Sequence, residues 1–188
     1  MDAGSADPGT VPESVASITR RPLWRRDWFL PVMAACLSGV FLLFILLSFV
    51  PHPVKVVGTA MEPALKNGDR LMTQRNVVEL NRGDIVTFYY PRDTRKSFVE
   101  RIVGLPGETI SIDASGAVYV DNTEIREPYV SPDRNRSPRR QQKLTLEADE
   151  YFILGDNRDA SIDSRTFGPV DRKLIYGKVM WRYWPVSR

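Results

Sequence analysis

Three short segments hold most of the side chains that could do chemistry. The first reads GTAMEPAL (58–65) and leads to GDRL (68–71). The second reads ERIVGLPG (100–107), and the third reads GDNRDASIDSR (155–165) and closes on FGPV (167–170). On its glycine-initiated loop the third alternates acid and base, Asp156, Arg158, Asp163 and Arg165, with Ser161 among them. Amide cleavage by a serine needs a hydroxyl nucleophile, a group that takes its proton, and donors for the tetrahedral oxyanion. Histidine is the usual base, but the single histidine, His52, stands just after a long apolar run and outside all three segments. A lysine takes that role only where an apolar site lowers its pKa from about 10.4 towards neutrality. One histidine and one cysteine, Cys36, exclude a multi-histidine metal centre, a thiolate-rich zinc or iron–sulfur site and an intrachain disulfide. No metal or cofactor is expected.

Together with the apolar run before them, the three segments resemble the ordered signatures of the type I signal peptidases. These are membrane-bound Ser/Lys-dyad enzymes that cut leader sequences from exported proteins. GDIVTF (83–88) is similar to a fourth family segment, and the resemblance covers roughly residues 22–182. In that family the nucleophile is the serine directly before Met in Ser-x-Ser-Met-x-Pro. The lysine base directly precedes Arg in Lys-Arg-x-x-Gly-x-Pro-Gly. Here the nucleophile position is Ala60 and the base position is Glu100. The first serine of the pattern, whose hydroxyl helps hold the oxyanion in the family, is Gly58. Glu108 and Ala160 are smaller departures from Asp and Asn. Three substitutions at the chemical centre, one of them Lys to Glu, read as natural loss of the dyad.

Relocated chemistry finds little support in the residues. Thr59 adjoins Ala60, but a one-residue shift along an extended segment turns a side chain to the opposite face. Lys96 shares strand parity with Glu100, yet four residues place it about 13 Å away. An acid pair would need Glu100 to face a second carboxylate such as Asp163 with a raised pKa. The bland reading of Asp156, Arg158, Ser161, Asp163 and Arg165 is a hydrogen-bonded scaffold that holds the former site in shape. Ser161 matches the family serine that orients the lysine. By resemblance, a groove for a small-x-small peptide is lined by Val54, Val56, Met61, Phe98 and Val99. The family's substrate lies there as an added strand, bound mostly through main-chain hydrogen bonds, and such pairing does not need the dyad.

The elements that must position these residues are short strands and turns. VKVV (54–57), RLMTQR (70–75), DIVTFYY (84–90), SFVERIV (97–103) and ETISI (108–112) are β-branched and aromatic runs. AVYV (117–120), LTL (144–146), YFIL (151–154) and LIYGKVMWRYW (174–184) continue the pattern. Asn67-Gly68-Asp69, Arg82-Gly83-Asp84, Pro106-Gly107 and Ser115-Gly116 punctuate them. The expected fold is mainly β, an antiparallel barrel or sandwich-like signal-peptidase fold preceded by one transmembrane helix.

Residues 1–27 read as a cytoplasmic tail with a basic flank at Arg20, Arg21, Arg25 and Arg26. Residues 28–50, WFLPVMAACLSGVFLLFILLSFV, carry no charge. As a helix that run is about 34 Å long, enough to cross a hydrocarbon core of about 30 Å. It is too long for a cleaved leader's apolar region and lacks a small-x-small cleavage site. The flanking arginines predict a cytoplasmic N-terminus, which places residues 51–188 outside the plasma membrane as a single-pass protein's β domain. The net charge of +3 is too small to argue for nucleic acid. The densest basic stretch, SPDRNRSPRRQQK (131–143), reads as a solvated loop, with acidic lipid headgroups as a sharper alternative. Trp181, Tyr183 and Trp184 are candidates for a rim against the bilayer.

The sequence therefore predicts a membrane-anchored signal-peptidase homologue that binds leader peptides or other extended segments without cutting them. Its expected partners are those segments, membrane lipids and an active paralogue. Two alternatives stand beside it: a working serine endopeptidase with a displaced site, and a scaffold or assembly protein whose groove has closed.

Overall fold

The computed structural model describes residues 28–48 and 51–185, except 76, 78, 137 and 138; of residues 46–48 it describes the backbone alone. The tail and basic flank expected over residues 1–27 lie outside the described residues. The chain divides into two compact units at Ser48/Phe49, each described by itself.

The first unit contains helix α1, Phe29–Ser48. It has no acid in its first turn and no base in its last. Leu30, Leu37, Val40, Phe41 and Leu43 are all exposed, so the helix has no polar face. Side chains are described only as far as Ile45. Among the described residues no helix is long and apolar enough to cross a membrane.

The second unit is antiparallel β structure in two sheets. Among the described residues eleven strands follow in order: β1 (His52–Lys55), β2 (Arg70–Gln74), β3 (Ile85–Tyr90), β4 (Asp93–Gly104), β5 (Thr109–Ile112), β6 (Val118–Val120), β7 (Thr123–Glu124), β8 (Gln141–Thr145), β9 (Glu150–Leu154), β10 (Val170–Asp171) and β11 (Ile175–Trp184). The larger sheet has the order β1-β2-β11-β3-β4-β9-β10, and the smaller β7-β6-β5-β8. One four-residue helix, α2 (Ser164–Phe167), follows the third motif.

Each expected strand run holds a strand, with shifted ends. β1 lies two residues earlier than the VKVV run. β4 starts at Asp93 rather than Ser97, because Tyr90 pairs with Asp93 and closes a tight hairpin over charged residues that carry no strand signal. β7 and β10 were not expected. β7 follows a two-residue turn at Asp121 and Asn122, with φ of 49° and 67°. A turn with positive φ at both central residues is usually marked by glycine, and this one has none.

Alternation on the strands builds three clusters. Val56, Met61, Leu65 and Leu71, with Ile85, Val99 and Val179 against them, fill one face of the larger sheet. Val86, Phe88, Ile102 and Ile153, backed by Phe98 and Phe167, fill the other. Val103, Phe152 and Leu154 join it to the smaller sheet's Ile110, Ile112, Val118 and Val120. Because strands β1, β2, β11, β3 and β4 all contribute at or next to the first cluster, the sheet curls round it. Residues 54–57 thereby come opposite residues 96–99.

Candidate functional site

Glu100 stands at a fork. It pairs with Val86 of β3, and from its neighbour Arg101 onward β4 also pairs with β9, Arg101 opposite Leu154. Before that point this edge of β4 has no strand partner among the described residues. β1 is the terminal strand of the same sheet, paired only with β2. Two strand edges thus face each other across a groove of about 390 Å³. Val54, Val56, Met61, Phe98 and Val99, the five residues expected to line a peptide site, all border it. Val56 and Met61 form its buried floor. Lys55, Val57, Ala60, Lys96 and Ser97 complete its lining.

The loop after β9 holds Thr59 and Ala60 in place. Asn157 donates its main-chain N–H to the Ala60 carbonyl at 2.8 Å and its side-chain amide to the Thr59 carbonyl at 3.1 Å. Gly155 permits the approach: a β-carbon there would stand 2.7 Å from the Ala60 carbonyl oxygen and 2.6 Å from Ser161 Oγ. Ser161, 1% exposed, donates its hydroxyl to Glu100 Oε1 at 2.7 Å. Ser161 thus ties Glu100 to the loop that holds residues 59 and 60.

Around them runs a network of buried charge. Asp163, fully buried, caps α2 by accepting from the Arg165 N–H, accepts from the Gly155 N–H at 3.3 Å, and takes both Nε and Nη2 of Arg165. Arg165 Nη2 also donates to the Arg158 carbonyl at 2.8 Å. Arg158, 1% exposed, donates to the Gly155 carbonyl and pairs with Glu127 at 2.6 Å. Asp156 takes a two-pronged bond from Arg101 at 2.8 and 2.7 Å, and Arg101 also lies 4.0 Å over the Tyr129 ring. The four charges singled out in the third motif so divide their partners: Asp163 keeps to Arg165 within the loop, while Asp156 and Arg158 reach out to Arg101 and Glu127. Burial and the adjacent Glu127 carboxylate push the Tyr129 phenol above its ordinary range. Arg101 was visible inside the second motif. Glu127 and Tyr129 carried no signal, because their segment, REPYV (126–130), reads as an ordinary turn.

Glu100 itself is 1% exposed, and among the described residues no cation donates to it. Oε2 has no partner. Burial, then the neighbouring Asp163 charge, push its carboxyl well above the usual carboxylate range; the Ser161 hydrogen bond and Arg165 oppose this. Among the other candidates, Gly58 has φ of 95° and donates its N–H to Asn67 Oδ1 at 3.1 Å, so a side chain at 58 is strained. Thr59 is exposed. Lys96 reaches out towards Asp93, at 3.9 Å. His52 pairs with Thr73 on β1 and does not line the groove.

The sequence profile of signal peptidase, peptidase S26, matches residues 25–184. The chain belongs to that family. Signal peptidase I of Bacillus licheniformis is 33% identical over 81% of this chain and 87% of its own length. Signal peptidase I of Leptolyngbya laminosa is 33% identical over 75% and 72%. Signal peptidase IB of Staphylococcus aureus is 29% identical over 86% and 90%. The crystal structure of a signal peptidase I from Enterococcus faecalis aligns with 56% of this chain and 100% of its own, at 28% identity and a TM-score of 0.47. This member of the signal peptidase family has an open groove and a buried charge network.

Proposed function

We propose that this protein is a signal peptidase I homologue that holds leader-like extended segments at the outer face of the plasma membrane and does not cut them. One observation carries the reading: an open groove between two strand edges has Ala60 in its lining, with Glu100 buried outside that lining. Edges of this kind take an extended peptide as an added strand, with main-chain hydrogen bonds for affinity and side-chain pockets for selection. Cutting needs more. Ala60 has no nucleophilic atom, and Glu100, buried and bonded to Ser161, offers a carboxyl and not a neutral amine base. Ser161 offers a hydroxyl but is buried and committed to Glu100, away from the groove lining.

The anchor belongs to the same proposal. It rests on the uncharged run of residues 28–50, the arginines before it and the apolar surface of α1. A membrane position suits a groove that meets segments emerging from a bilayer, and an active paralogue is the natural partner for cleavage. The open groove weighs against the scaffold alternative. The test is binding of a peptide with small residues at its −1 and −3 positions to the full-length protein in detergent. The expected result is saturable binding that perturbs resonances of Met61 or Phe98; no perturbation at millimolar peptide overturns the reading.

A further inference from the structure

We infer that the groove selects extended segments that carry an acidic side chain close to their small residues, and that Lys55 and Lys96 make the selection. The inference rests on the peptide-holding reading above and adds the charge of what is held. The lining is apolar at Val54, Val56, Met61, Phe98 and Val99, and its charged members are two lysines with no acid among them. One lysine comes from each strand edge, Lys55 from β1 and Lys96 from β4. Both are exposed, Lys96 with 66% of its side chain in solvent.

The acids around the groove are spent on other cations. Asp93 lies 3.9 Å from Lys96, but both its oxygens already accept from Arg95, from Nε at 2.9 Å and from Nη2 at 3.3 Å. Glu62, next to Met61, is paired with Arg134 at 2.8 Å. Lys55 stands opposite Arg70 on the β1–β2 ladder, and among the described residues neither has an ion-pair partner. Like charges placed directly opposite repel each other, so a carboxylate brought to Lys55 relieves that repulsion as well as meeting the lysine. A cleft lined by one sign of charge over apolar walls concentrates its field on whatever enters it. Lys96 stands four residues before the fork at Glu100, about 13 Å of extended strand. The acid of a held segment therefore belongs about four residues from the part that passes the fork, on the side set by the direction in which the segment lies.

The test is titration of fluorescent peptides with the full-length protein in neutral detergent. Each peptide has small residues at −1 and −3 and a single Asp at one flanking position, moved along both flanks, beside its Asn counterpart. At one or more positions the Asp peptide is expected to bind about threefold to tenfold more tightly than the Asn peptide at about 0.05 M salt. That ratio falls towards unity at about 0.5 M salt, where exposed charges are screened. In Lys55→Gln/Lys96→Gln the ratio is near unity at low salt too. Lys55→Glu/Lys96→Glu reverses the preference in favour of Asn, which a merely structural role for the lysines would not produce. Equal binding of Asp and Asn peptides by the wild type at every position overturns the inference and leaves the peptide-holding reading standing. A preference for Asp that survives in the glutamine variant also overturns it, because the lysines are then not its source. No binding of any peptide by the wild type overturns both.

Discussion

Replacing Glu100 by Gln is expected to stabilise the protein at neutral pH, by an amount that grows with pH. The two side chains have nearly the same shape, and the amide oxygen still accepts from Ser161 as Oε1 does. The difference lies in the proton. Burial first and the Asp163 charge second raise the folded-state pKa of Glu100 well above 4.5, whereas the unfolded chain ionises near that value. Above it, folding must take up a proton, so wild-type stability falls as pH rises, by about 1.4 kcal/mol per pH unit for one group. The loss stops once pH passes the folded-state pKa. The glutamine variant has no such dependence, and all other ionisable groups cancel in the comparison. Its advantage should therefore grow with pH from the unfolded-state value until pH passes the folded-state pKa, and stay constant beyond it. Urea-unfolding midpoints of both full-length proteins in one neutral detergent, followed by tryptophan fluorescence, measure this directly. Parallel pH curves would refute the reasoning, since they would mean that Glu100 ionises alike in both states.

Arg165→Leu strips Asp163 of its countercharge in a fully buried position and is expected to cost about 3–5 kcal/mol in the same unfolding assay. A loss below about 1 kcal/mol would show that the pair is not what holds the loop. Gly155→Ala puts a methyl group 2.5 Å from Ser161 Cβ and 2.7 Å from the Ala60 carbonyl oxygen, so the loop and residues 59–60 must part. The expected cost is about 1–3 kcal/mol, together with lost peptide binding, read by unfolding and by peptide titration. Phe98→Ala removes a groove wall that also packs on Phe88 and Tyr90, and should weaken peptide binding about tenfold with a smaller effect on stability.

Strand existence was legible in this sequence because β-branched runs alternate with strong turn signals. Strand ends were less so. β4 extends back to Asp93 because a hairpin zips charged residues together, and a hairpin is set by the partner strand rather than by local propensity. The groove residues were legible only through the family resemblance, since Val54, Val56 and Val99 look like any core valines. The charge network was half legible. Asp163 and Arg165 lie two residues apart and pair locally, but Asp156 and Arg158 find partners 55 and 31 residues away. No spacing rule reaches that far. The unpartnered Oε2 of Glu100 was not legible at all, because it depends on where Arg101 and Arg165 turn their guanidiniums.

The central claim is that a peptide-holding groove surrounds an emptied dyad. The most direct test is pre-protein cleavage by the purified full-length protein in detergent or lipid, beside the Ala60→Ser/Glu100→Lys double mutant. The wild type is expected to cut nothing. The double mutant should cut after the small-x-small site, at a rate held down about 100-fold to 1,000-fold because position 58 stays glycine and supplies no hydroxyl to the oxyanion. Cleavage at that site by the wild type would contradict the account and place a working nucleophile elsewhere in the domain.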